Sequence, residues 1–290
     1  MTEITKMSDT YTLSNGVKIP IVGFGTWQTP EGEVAKHSVE TAIKAGYRHI
    51  DTAAMYGNED AVGEGIKAGL AATGLSRDDL FVTTKLNNDA HSFDLVQKAI
   101  DTSLSKLGLD HVDLYLIHWP NPAGFRDSYP DSLKDTWRGM EQVYKDGKAR
   151  AIGISNFRQQ HLDVIKADAS VQPMVNQIFL NPSDLQPAVT KMNSDNQLLT
   201  EAYSPLGTGK LLGNEEIKKI AAKYGTGTAQ VLLRWSLQHG FLPLVKSVHD
   251  NRIQENTALF DFSLSTEDMQ ALDALHGVSG LATDPDTTNF

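Results

Sequence analysis

Short apolar runs alternate along the chain with longer stretches in which apolar residues recur every three or four positions. The segment from Tyr11 to Trp27 reads as two short strands turning at Asn15-Gly16, a pair that tolerates the positive φ values of a tight hairpin, with a further strand over Ile21 to Gly25. After it come the candidate strands His49-Ile50-Asp51, Leu80 to Lys85, Val112 to His118, Ala149 to Asn156, Met174 to Gln177, Leu198 to Tyr203 and Leu242 to Lys246. Helical spacing fills the intervals, as in Glu33 to Ala45, Asp94 to Leu107, Leu133 to Lys145 and Gln230 to His239. Apolar strands separated by helices call for parallel pairing with both faces covered, in a doubly wound sheet or a closed barrel. About eight such units can be counted from Ile21, the number that closes a (β/α)8 barrel. The expectation is an α/β protein, one (β/α)8 TIM barrel over residues 1–290 with an N-terminal β-hairpin and irregular chain after Leu275.

The polar residues interrupt this pattern at one kind of place. Asp51, Lys85, His118, Ser155-Asn156, Asn176-Gln177, Tyr203 and Lys246 all stand at or near the C-terminal end of an apolar strand. In a parallel barrel those ends converge on one face, where barrel enzymes carry their chemistry. Any one of them reads equally well as a strand end meeting solvent. Repetition in nearly every unit favours a site.

Charge and composition narrow the partners. With 26 basic and 36 acidic residues the net charge is −10, so the summed field repels nucleic acid and anionic membrane surfaces, and a bound phosphate needs a local basic pocket. The absence of cysteine excludes disulfides, thiolate metal sites and a cysteine nucleophile. MTEITKMSDT is polar, and no apolar run approaches the roughly 20 residues of a membrane span. A cytoplasmic monomer without metal is expected, since no HExxH-like spacing occurs among the histidines. Gly23-x-Gly25 lacks the third glycine of a dinucleotide-binding turn, and Gly209-Lys210 lacks the earlier glycine of a phosphate loop. Tyr144 and Lys148 have the spacing of a short-chain dehydrogenase pair, but Gly147 interrupts the helix that pair requires.

Seven stretches in order, GYRHIDTAAMYGNEDAVGEGI (46–66), VTTKL (82–86), DLYLIHWP (113–120), GISNF (153–157), VNQI (175–178), AYSPLG (202–207) and LRWSLQHG through FDFSLS (233–265), resemble the aldo-keto reductases, including microbial members of the 2,5-diketo-D-gluconate reductase type. The resemblance implies reduction of a small-molecule carbonyl by NADPH, with Tyr56 as general acid, Lys85 beside it, Asp51 paired to the lysine and His118 facing the substrate oxygen. Physical chemistry agrees: a free tyrosine titrates near pH 10, an adjacent ammonium lowers that value, and a buried ammonium needs a carboxylate. Taken singly, Asp51 and Lys85 also read as a barrel salt bridge and His118 as a core histidine.

By the same resemblance Tyr203 stacks on the nicotinamide ring, Ser155, Asn156 and Gln177 hydrogen-bond its carboxamide, and Thr26, Ser204 and Leu206 also bind the cofactor. Lys246, Ser247, Arg252 and Asn256 surround the adenosine 2′-phosphate. Trp27 and Trp119, with Tyr56 and parts of the tail, are expected to wall an apolar, fairly open substrate pocket. Sugar-derived ketones, α-dicarbonyls and aryl aldehydes are the implied substrates. Two departures stand out. Phe179-Leu180-Asn181-Pro182 replaces a glutamate and histidine common before the proline, which should repack that loop, and His249 replaces an arginine found in some relatives, which bears on NADPH against NADH. The competing reading is an NADPH-binding barrel with a sensing or structural role.

Overall fold

The computed structural model describes residues 4–290. Eight parallel strands close into a barrel: β3 (Gly23–Gly25), β4 (His49–Asp51), β5 (Phe81–Leu86), β6 (Val112–Ile117), β7 (Ala149–Ser155), β8 (Val175–Phe179), β9 (Leu199–Tyr203) and β10 (Leu242–Val245), with β10 pairing back onto β3. Before them, β1 (Thr10–Thr12) and β2 (Lys18–Pro20) form the antiparallel hairpin, turning through Gly16 at φ +86°. The expected architecture is therefore the observed one. The strand at Ile21 starts later than its apolar pattern suggests, because Ile21 and Val22 are buried packing residues and the Ile21 amide donates to Asp9 of the hairpin approach.

The hairpin lies at the strands' N-terminal ends. Tyr11 Oη donates to the Phe241 carbonyl just before β10, and Asn15 Nδ2 donates to the Arg150 carbonyl early in β7. The opposite, C-terminal mouth is left for the site.

Around the barrel run α1 (Glu33–Lys44), α2 (Glu59–Thr73), α3 (Phe93–Leu107), α4 (Asp131–Lys145), α5 (Gln159–Lys166), α6 (Pro187–Asp195), α7 (Glu215–Tyr224), α8 (Thr228–Gln238), α9 (Asp250–Glu255) and α10 (Thr266–Asp273). Their inward stripes follow helical spacing: Val96, Ile100, Leu104 and Leu107 on α3, and Leu133, Trp137 and Met140 on α4, are buried. Covered by such helices, β5 and β6 are buried at every position, which is why neither alternates polar and apolar residues. Barrel closure depends on Gly23, where a Cβ would stand 2.4 Å from Leu244 Cδ2 and 2.8 Å from His49 Nδ1. Helix α4 ends at Lys145, and Gly147 turns away at φ +74°, so Tyr144 and Lys148 do not share a helix. Among the described residues no helix is long and apolar enough to cross a membrane.

Candidate active site

Lys85 lies at the heart of the site. It sits near the C-terminal end of β5 with no exposure, and burying an ammonium is tolerated only when its donors are met. All three are: Nζ donates to Asp51 Oδ1 at 2.7 Å, to the Thr52 carbonyl at 2.9 Å and to Tyr56 Oη at 3.2 Å. Asp51 ends the neighbouring strand β4, and Tyr56 closes the 3-10 turn Ala54–Tyr56 that follows it. Asn58 fixes that turn from below by donating to the carbonyls of Thr26 and Thr29.

His118 follows β6 with its ring edge-on to Tyr56 at 5.8 Å between centroids. Burial, aided by the Lys85 charge, holds its pKa well below the usual range, so the imidazole is neutral at physiological pH. For Tyr56, burial pushes the pKa above its ordinary value and the attraction of Lys85 offsets only part of that rise. The net lowering expected from the ammonium is not what this geometry gives, because desolvation outweighs the neighbouring charge. Burial also opposes the Lys85 charge, but Asp51 and Tyr56 together more than compensate, and its pKa stays above the ordinary value.

Across the barrel, Gln177 of β8 sends Nε2 to Asp51 Oδ2 at 2.9 Å and to Glu201 Oε2 at 2.8 Å. Glu201, on β9 in register with Gln177, is fully buried, and burial with the nearby Asp51 carboxylate pushes its pKa up to about 8. The residue pattern held the clue: in a strand, Glu201 shares the face of Tyr203 two positions on, yet a lone glutamate inside an apolar strand reads as an outward side chain.

Above this polar layer opens a cavity of about 950 Å³. Asp51, Tyr56, His118, Asn156, Gln177 and Tyr203 line it at the deep end. Ser204 and Leu206 line its middle, and Lys246, Ser247, Arg252 and Asn256 its far end, together with His249 and Glu255. Trp27, half-exposed, and Trp119, buried, stand in the wall beside Tyr56. Lys85 lies just beneath the surface. The structure does not bring Thr26 and Ser155 to the wall: the Thr26 hydroxyl donates to the Asp51 carbonyl and the Ser155 hydroxyl to the Gln177 carbonyl. Asn156, at φ +62°, is engaged through both amide ends, donating to the His118 carbonyl and accepting from Tyr203 Oη at 2.8 Å. Lys246 reaches across the groove to the Gln28 carbonyl at 3.3 Å, and burial lowers its pKa. Sequence reading missed Gln28, Met55, Thr208, Leu212 and Gln230 in the lining, since loop residues carry no periodic signal.

The tail is irregular as expected, but it does not leave the mouth bare. Leu281, Thr283 and Phe290 line the cavity, and the Phe290 ring meets Trp119 edge-on at 4.9 Å. Polar tethers add to this one aromatic contact. Asp286 accepts from Asn121 Nδ2 and Gln160 Nε2 and pairs with His161 Nε2 at 2.9 Å, and Arg126 reaches the Thr288 carbonyl. The departure after β8 has a role here. Asn181 Oδ1 accepts from the hydroxyls of Ser183 and Ser279, and its Nδ2 donates to the Ser204 carbonyl, joining the tail to the loop after β9. Among the described residues no cluster of His, Asp and Glu could hold a metal ion.

Comparison with known proteins agrees with this architecture. The profile of the aldo/keto reductase family matches residues 21–276. The glyoxal reductase of Bacillus subtilis is 45% identical over 286 residues, covering 99% of each chain. Among solved structures, an aldo/keto reductase from Brucella melitensis superimposes with a TM-score of 0.86 at 40% identity, over 94% of this chain and 100% of that one. A Bombyx mori aldo-keto reductase in complex with NADP gives 0.85 at 35% identity, over 95% and 94%. Barrel, profile and near-full-length relatives lead to one conclusion: the chain belongs to the aldo/keto reductase family of oxidoreductases.

Proposed function

We propose that the chain reduces aldehydes and ketones to alcohols with NADPH, Tyr56 giving the proton. The carrying observation is the set of contacts made by Lys85. Because Tyr56 Oη accepts a hydrogen bond from the ammonium, its own O–H is left to point into the cavity. The cavity suits a nicotinamide dinucleotide phosphate in size and lining. Gln177 Oε1 is an acceptor with no partner among the described residues, Tyr203 offers a ring face, and Lys246 and Arg252 provide cations about the far end. NADPH, when bound, supplies the hydride.

The chain's own groups do the rest. Neutral His118 donates a hydrogen bond to the carbonyl oxygen, orienting it and stabilising the charge that gathers there. Tyr56 donates its proton to the same oxygen, and the Lys85 charge beside it stabilises the phenolate that remains. Asp51 keeps that charge in place. With its pKa raised by burial, Tyr56 stays protonated through neutral pH, so reduction should be flat there and fall only in alkali. Lys246 and Arg252 can make charge-assisted hydrogen bonds to a 2′-phosphate, for which NADH has no equivalent. The apolar wall of Trp27, Met55, Trp119 and Phe290 favours aryl aldehydes, and the similarity to a glyoxal reductase supports α-dicarbonyls.

The test is NADPH oxidation with a panel of such carbonyls. Tyr56→Phe should lower turnover by about 10²-fold or more while NADPH affinity is nearly unchanged. Near-wild-type turnover in the folded variant would remove the mechanism. NADPH binding without turnover of any carbonyl would favour a sensing role.

A further inference from the structure

Glu201 is placed where a stability argument alone would not put a glutamate. It is fully buried inside the barrel, Oε2 accepts from Gln177, and Oε1 has no partner among the described residues. Its burial, next to the Asp51 carboxylate, works against ionisation strongly enough to push the pKa up to about 8. Near neutral pH it is therefore a neutral acid whose carbonyl oxygen faces the Gln177 amide. Burying a carboxyl group with one oxygen unmet costs free energy, and a hydrophobic side chain of similar size would fill the space without that cost.

What Glu201 does have is a hold on Gln177. Strands β4 and β8 stand opposite one another in the eight-strand ring, so the Gln177–Asp51 hydrogen bond spans the barrel. Gln177 has two amide protons in a buried setting. Asp51 takes one and Glu201 takes the other, at 2.9 and 2.8 Å. With both protons assigned, the amide cannot turn over without setting its carbonyl oxygen against the Asp51 carboxylate. Oε1 is thereby left at the cavity wall as an acceptor, while the neighbouring Asn156 amide is engaged with the protein at both ends.

We propose that Glu201 is a positioning residue for the cofactor: it holds the Gln177 amide so that Oε1 receives the amide protons of the nicotinamide carboxamide and sets the ring for hydride transfer. The proposal rests on the NADPH-dependent reading above. Removing the Glu201 acceptor leaves one buried amide proton of Gln177 unmet and frees the side chain to seek another partner, displacing Oε1. Small displacements of a group that orients reactants lower rates steeply.

The experiment is a double-mutant cycle on the full chain, with Glu201→Leu, Gln177→Ala and their combination, and with Glu201→Gln as the conservative variant. Steady-state kinetics with NADPH and one good carbonyl substrate are read alongside thermal melts. Glu201→Leu should raise KM for NADPH and lower kcat by about 10-fold together. It should also enlarge the primary isotope effect with NADPH deuterated at the transferred position. In the Gln177→Ala background the same change should add nothing, since the group it acts through is gone. Glu201→Gln, whose amide oxygen can accept the same hydrogen bond, should recover most of the loss. Unchanged KM and kcat in Glu201→Leu, or a loss of equal size with and without Gln177, would overturn the proposal. Glu201→Met is the second apolar version, and failure of both to fold would make Glu201 structural and overturn the proposal as well. If wild type shows no NADPH-dependent turnover, or Tyr56→Phe retains it, the underlying reading fails instead.

Discussion

The two ends of the cavity are built of different material. At the deep end Lys85, Asp51, Gln177 and Glu201 project from four barrel strands, are almost fully buried, and hold one another through hydrogen bonds of 2.7 to 2.9 Å. At the far end Arg252 and His249 are exposed on or beside the short helix α9, and Lys246 has a backbone carbonyl at 3.3 Å as its polar contact. The contrast separates two tasks. A proton-donating group needs its geometry and electrostatics fixed in advance, which buried strand residues provide. A phosphate brings its own charge and can organise mobile cations around it.

The largest effect that probes this contrast belongs to the deep end. Lys85→Met should lower kcat by on the order of 10²-fold. Since Lys85 lowers the Tyr56 pKa, its loss should move that pKa higher still. If alcohol oxidation uses the phenolate as base, the limb on which its rate rises with pH should shift to higher pH. An active variant with an unmoved limb would mean that the lysine only braces the barrel.

Next comes the far end. Replacing Lys246 and Arg252 together by alanine should raise KM for NADPH by roughly 10-fold or more, leave KM for NADH little changed and spare kcat. Initial-rate titrations with each cofactor, at low and high salt, check this, and the advantage of NADPH in wild type should shrink as salt rises. Equal damage to both cofactors would break the contrast, because the cations would then be serving the site as a whole.

The smallest effect lies between the two ends, at the tail. Asp286→Asn weakens the pairing with His161 that ties the tail to α5. It should raise KM for a bulky aryl aldehyde by a few-fold, as Phe290 loses its fixed position against Trp119, with kcat and KM for NADPH unchanged. A drop in kcat would show that the tail reaches the chemistry.

The two ends also differed in how plainly the chain announces them. Strand ends are legible because an apolar run that stops at Asp51, Lys85 or His118 marks both the element and the direction it faces. The eight units, the hairpin turn at Gly16 and the residues gathered at Lys85 follow from that pattern and from the family motifs. What the pattern does not show has physical causes. Thr26 and Ser155 stand beside the site, and that their hydroxyls donate to neighbouring backbone carbonyls is visible only in the fold. Glu201 lay hidden because a single inward glutamate has no periodic signature until the opposing amide of Gln177 is seen. The direction of the Tyr56 pKa turned on how completely the hydroxyl is desolvated, which no spacing reveals.

The family profile stops at residue 276, and the segment beyond it is held by Asn181 and Ser183 through Ser279 as well as by Asn121, Gln160 and His161 through Asp286. For anyone reshaping substrate preference by exchanging that segment with one from a relative, it is not a portable part. A transplanted tail with no serine at position 279 would lose the hydrogen bonds to Asn181 and Ser183 that join it to the loop after β8. The natural unit of exchange is the pair, residues 179–184 moved together with residues 277–290, since varying only the second half puts the Asn181 and Ser183 contacts to Ser279 at risk.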